Sequence, residues 1–125
     1  MFNENSIALV LRKNTWLKMI RRGWGNGYVG VPKGHPWFGV HYDEIDANVH
    51  GMLTFSEMDV FGAGYWWVGF DTCRPGDNEI NCNIEFVAQQ AESLHQQAVD
   101  AAITKQLPSP DADGDVVYAE FTVVE

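Results

Sequence analysis

Tyr65-Trp66-Trp67-Val68-Gly69-Phe70 is apolar on both faces of an extended chain. Alternate residues of a strand point to opposite sides, so this segment needs cover above and below and belongs inside a sheet. Downstream, the period changes from two to 3.6. Ile84, Val87, Ala91, Leu94, Ala98 and Ala102 recur at steps of three and four, and predict one helix over Ile84 to Ile103 with a single apolar stripe. Asn83 is placed to cap it, Glu85 suits the positive end of the helix dipole, and Pro108 and Pro110 stop the pattern.

Upstream, Ile7 to Leu11 is a short apolar run that reads as a buried strand, with helix as the competing reading. Trp16 to Arg21 and Tyr28 to Val31 read as a β-hairpin, with Gly23-Trp24-Gly25-Asn26-Gly27 as its reversal. Pro32 to Pro36 is a loop, since two prolines and a glycine break a ladder. Three acids between Tyr42 and Asp46 place that segment on the surface, as a turn or one turn of helix. Asn48 to Phe55 is strand-like, Glu57 to Gly64 reads as a loop, and Asp71 to Asn78 is polar loop. Asp111 to Asp115 is an acidic turn, and Val116 to Val124 alternates as a closing strand. The expected fold is α+β: a mostly antiparallel sheet of five or six strands packed on one long helix in the C-terminal half. It forms a single domain over residues 1–125.

Composition narrows the function classes. The chain has 125 residues, a formal charge of −9, five Trp and seven Phe. Its charge is uneven. Residues 1–33 hold six basic residues and one acid, and residues 34–125 hold two basic residues against sixteen acids. Such a field repels phosphate backbones, so direct nucleic-acid binding is not expected. It attracts basic surfaces or cations, and it also simply keeps a protein dispersed. The longest uncharged apolar-rich run, Val60 to Phe70, is far short of the roughly 20 residues of a membrane span. No apolar secretory core follows a basic start, and two cysteines make no disulfide framework, so the expected setting is a reducing cytoplasm.

Four constellations carry chemistry. His41, Asp43, Asp46 and His50 combine carboxylates with imidazole. With Asp71 they suggest a set for Mg²⁺ or Mn²⁺ made of His41, Asp43, His50 and Asp71. The spacing matches no zinc pattern, and the competing reading is an acidic turn beside a structural histidine. Asp71 and Asp77 flank the tryptophan-pair strand as candidate acid–base groups, or else as loop caps. The rings of Trp24, Tyr28, Trp37, Phe38, Tyr65, Trp66 and Trp67 can stack on a flat ligand or build the core, and Trp24 and Trp37 are the loop positions. Arg22, with Arg21, Lys18, Arg12 and Lys13, can hold an anion or blunt a strand edge. The glycine-rich stretch lacks the Gly-Lys-Ser/Thr ending of a phosphate loop, and neither Cys73 nor Cys82 shows a nucleophile's pattern.

Gly27-Tyr28-Val29-Gly30-Val31-Pro32-Lys33-Gly34-His35-Pro36, Val49-His50-Gly51 with Leu53-Thr54-Phe55, and Trp66-Trp67-Val68-Gly69-Phe70-Asp71 with Gly76-Asp77 together resemble a family of small uncharacterised proteins of tailed phages and prophages. The resemblance spans about residues 27–100. In that pattern a second glycine follows His50-Gly51, where this chain has Met52. A histidine precedes the Gly-Asp pair, where this chain has Arg74-Pro75. If that histidine is catalytic in the family, this member lacks the activity. The resemblance implies a viral accessory protein in the host cytoplasm, and marks His35, His50, Asp71 and Asp77 as site candidates.

The expected function is therefore binding by occupancy against a host defence. Either the chain is an acidic mimic of nucleic acid that blocks a basic host protein, or it sequesters a small nucleotide through Trp24, Trp37 and Arg22. The alternatives are a metal-dependent hydrolase on the His/Asp set and a minor structural protein of the virion. Assembly as a homo-oligomer is compatible with each.

Overall fold

The computed structural model describes residues 7–14, 23–106 and 121–124. Its elements are β1 (Ala8–Lys13), β2 (Gly25–Val31), a 3-10 turn (Tyr42–Glu44), β3 (Phe55–Met58), β4 (Trp66–Phe70), α1 (Ile84–Gln106) and β5 (Phe121–Val124). The sheet order is β3-β4-β2-β1-β5. The first four strands form an antiparallel sheet, and β5 adds to its edge parallel to β1. The class is α+β, as the change of period implies.

β4 has a neighbour on each side, as its two apolar faces require. Trp67 stands opposite Gly30 on β2 and Glu57 on β3. Both Trp67 and Val68, which point to opposite faces, are buried. Since β1, β4 and β5 all run the same way, the chain must recross the sheet between β4 and β5, and α1 makes that crossover. Asn83 caps α1 as expected: its Oδ1 accepts from the Phe86 amide at 2.9 Å. The buried stripe is Val87, Ala91, Leu94, Ala98 and Ala102. It packs with Ile7, Leu9 and Leu11 of the first strand region, Val29 and Val31 of β2, and Val68 and Phe70 of β4. Ile84, expected in the stripe, is instead 36% exposed at the helix start.

Three expectations are corrected. Gly25 to Gly27 lie within β2 rather than in a reversal, and none has a positive φ. Gly27 is there for close approach: an added Cβ would sit 2.6 Å from the Phe70 ring and 3.0 Å from the Ala91 Cβ. The antiparallel partners of β2 are β1, with Leu9 opposite Val29, and β4, with Val68 opposite Val29, so both its edges are taken; the segment Trp16 to Arg21, expected to pair with it, lies outside the described residues. Third, the strand expected over Asn48 to Phe55 begins only at Phe55. Val49 and Leu53 are buried without joining a ladder, because they pack into the core from an irregular segment. The acidic turn at Asp111 to Asp115 also lies outside the described residues.

Rings divide between the two faces. Trp37 joins the helix-side core. On the opposite face Tyr28 meets Phe55 and Phe61, with centroids 5.3 and 4.9 Å away, and Phe61 meets Trp67 at 5.2 Å.

Candidate functional site

Two irregular segments converge at the N-terminal end of α1: residues 32–54, between β2 and β3, and residues 71–83, between β4 and α1. The first is stitched along the helix by side chains. His35 donates through Nε2 to the Ala98 carbonyl at 2.8 Å and accepts the Trp37 amide on Nδ1 at 2.9 Å. The Gln97 side chain both accepts from the Asn48 amide (2.8 Å) and donates to its carbonyl (2.9 Å). Gln90 accepts the His50 amide at 2.9 Å. A tight turn follows, with Gly51 and Met52 both at positive φ (69° and 70°) and the Met52 amide bonded to Val49.

The second segment is organised by short polar side chains. Asp71 accepts the Cys73 amide on Oδ1 and the Thr54 hydroxyl on Oδ2, each at 3.2 Å. The Asp77 amide donates to the Arg74 carbonyl at 2.9 Å, and the Arg74 amide returns a bond to Asp77 Oδ2 at 3.0 Å. The Arg74 guanidinium donates to the Gly51 carbonyl and so ties the two segments together. The Cys82 amide donates to Asn78, and the Cys82 carbonyl accepts from Trp24, which fixes Cys82 just ahead of the helix cap.

Their meeting point is a three-residue cluster. His50 Nε2 lies 3.0 and 3.1 Å from the two Asp77 carboxylate oxygens and 3.9 Å from Cys82 Sγ. The three ligand atoms are all within 4.8 Å of one another. Cys82 is 1% and Asp77 7% exposed, while the His50 side chain is 26% exposed. The Phe86 ring meets the imidazole edge-on at 5.2 Å. Asp77 also borders an open depression lined by Cys73, Arg74, Pro75, Gly76 and Asn78.

Electrostatics define what this cluster does unaided. Burial works to raise the Asp77 pKa, but the Arg74 amide, the His50 imidazole and the Cys82 thiol outweigh it and hold the carboxyl below its ordinary value. Burial first, and then the Asp77 charge and hydrogen bond, push the Cys82 thiol up. Cys82 is thus a protonated thiol donating toward a carboxylate, the opposite of an activated nucleophile. The imidazole also presents the same nitrogen to both partners. A nucleophile–base–acid relay needs one ring nitrogen for the nucleophile and the other for the orienting carboxylate, so the geometry is not that of a cysteine hydrolase.

Of the sequence-derived candidates, His50 and Asp77 are brought together, and the others lie elsewhere. His35 is 3% exposed with both ring nitrogens engaged, so it locks the loop to the helix. Asp71 is a loop cap, as its alternative reading held. Trp37, expected as a loop ring for ligand stacking, is 6% exposed in the core with its edge toward His35. Trp24 packs half-buried against that core. Arg22 lies outside the described residues. His41, Asp43, His50 and Asp71 do not form one metal set: His41 and Asp43 pair with each other on the exposed 3-10 turn, and Asp71 bonds Thr54 and Cys73. Among the described residues the cluster of potential metal ligands is His50, Asp77 and Cys82. Cys82 is the member that sequence reasoning passed over. Thirty-two residues separate it from His50, and its one sequence signal is its position beside the Asn83 cap.

No helix among the described residues is long and apolar enough to cross a membrane. Searches with this chain match no protein-family model, no curated protein and no solved structure.

Proposed function

We propose that the protein acts by occupancy, as a phage accessory factor whose acidic exterior takes the place of nucleic acid on a basic host protein. One observation carries this reading. The exposed carboxylates pair with no Lys or Arg among the described residues, where the ion pairs present are His41–Asp43 and His50–Asp77. Their charge is therefore left to act outward. On α1, Glu85, Glu92 and Asp100 are all exposed and recur at seven and eight residues, which puts them on one helix face over about 22 Å. The nucleotide-capture version has less support, since Trp37 is core and Asp71 and His35 have structural duties.

The test immobilises the chain, exposes it to nuclease-treated host extract, and challenges whatever is retained with duplex DNA. Expected is a basic protein that DNA displaces, that added salt weakens, and that a Glu85→Lys/Glu92→Lys/Asp100→Lys variant retains much less well. Retention indifferent to DNA and to the charge reversals refutes the mimic.

A further inference from the structure

We propose that His50, Asp77 and Cys82 form a binding site for a single thiophilic divalent cation, zinc by its ligand chemistry, with a fourth position open to water at the 73–78 depression. This is a different feature from the acidic exterior and stands independently of the occupancy reading.

The donor set comes first. Thiolate, imidazole and carboxylate together suit zinc, whereas Mg²⁺ and Mn²⁺ favour oxygen ligands. Three protein ligands plus one water is the arrangement of zinc sites that keep an open position. Distances agree. Tetrahedral zinc with ordinary bond lengths sets its ligand atoms about 3.4–3.6 Å apart. The apo separations of 3.0 Å between His50 Nε2 and Asp77 Oδ1 and 3.9 Å between Nε2 and Cys82 Sγ bracket that range. The third separation, between the Asp77 carboxylate and Cys82 Sγ, lies within 4.8 Å, so modest side-chain shifts make room for the ion.

Support for the ligands is already in place. The Arg74 amide holds one Asp77 oxygen, Gln90 holds the His50 backbone, Phe86 backs the imidazole, and Cys82 is fixed by Asn78 and Trp24 on its two backbone groups. Outer contacts of this kind keep first ligands in position before an ion arrives. Access also exists, because His50 is partly exposed and Asp77 borders the depression. Proton balance is simple. Cys82 releases its thiol proton to solvent and forms the metal–sulfur bond. The neutral His50 ring takes the tautomer with its proton on Nδ1, which leaves the Nε2 lone pair for the ion. Asp77 exchanges its hydrogen bonds to the thiol and imidazole for a bond to the ion.

The experiment loads the reduced full chain with Co²⁺ as a spectroscopic stand-in, then titrates with zinc against a chromophoric chelator. One Co²⁺ per chain is expected, with a thiolate-to-cobalt charge-transfer band, and zinc should displace it. Cys82→Ser should lose the band, and His50→Gln and Asp77→Asn should each weaken zinc binding by about 100-fold or more, beyond the loss typical of an outer-contact change. Cys73→Ser, at the other and exposed thiol, should match the parent. If serine at 82 prevents folding, the His50 and Asp77 variants decide the question alone. A parent chain that takes up no Co²⁺, shows no charge-transfer band, or owes that band to Cys73 overturns the site.

Discussion

Met52→Gly should make the protein more stable. Met52 has φ of 70°, in the left-handed region, where a side chain costs about 1–2 kcal/mol against the preceding and following carbonyls. Its side chain returns little of that, since the residue is 71% exposed. Glycine removes the strain but adds freedom to the unfolded chain, at a cost of roughly 0.5–1 kcal/mol. The net gain is about 0.5–1 kcal/mol, which for a domain of this size corresponds to a rise in Tm of roughly 2–5 °C. Two further variants separate backbone from side chain. Met52→Ala keeps the strained φ and should stay within about 0.5 kcal/mol of the parent. Gly51→Ala should be clearly destabilising, because Gly51 has φ of 69° and an added Cβ would sit 2.5 Å from Arg74 Nε. Urea denaturation followed by tryptophan fluorescence gives all three values. A Met52→Gly protein less stable than Met52→Ala would show that backbone strain is not what position 52 contributes.

Three more outcomes are expected. Gly23→Ala should destabilise by about 2 kcal/mol or more in urea melts, since the new Cβ would lie 2.5 Å from Cys82 Cβ and 2.6 Å from Thr72 Oγ1, both buried. His95 should make stability fall on mild acidification. Burial lowers its pKa from the ordinary 6.5, against the opposing pull of its bond to Ile7 and the Glu92 charge, so below about pH 6.5 the unfolded chain takes up a proton that the fold resists. The loss should grow until the pH reaches the lowered folded-state value and then level off, and His95→Gln should flatten the profile in parallel melts at a series of pH values. Finally, Asp77→Asn should cost about 1–3 kcal/mol in the absence of metal, because the buried carboxylate accepts from the Arg74 amide, His50 and Cys82.

The helix was readable because its buried residues recur mostly at steps of three and four and its cap is a single residue, Asn83. β4 was readable because Tyr65 to Phe70 has no polar face to turn outward. The glycine-rich start of β2 was not, since residues without side chains carry no hydrophobic period. What makes Gly27 a strand residue is the Phe70 ring laid over it from another strand. The segment around Val49 and Leu53 misled for the opposite reason. Its apolar residues are buried as the pattern says, but its backbone is held by glutamines of α1 rather than by a neighbouring strand. At the site, His50 and Asp77 were each singled out by residue type, in different constellations, while Cys82 joins them only through the tertiary meeting of two loops. The buried Trp37 shows the limit of placing a ring by its loop: an indole has so much apolar surface that a loop folds inward to cover it.

The parallel pairing of β1 with β5 has a kinetic consequence. Leu9 faces Phe121 across about 110 residues of intervening chain, whereas β1 and β2 are near neighbours in sequence. The four antiparallel strands are joined by shorter connections, so they can pair before β5 closes this long loop. Until β5 arrives, one edge of β1 stands unpaired, and β5 is the last strand to cover it.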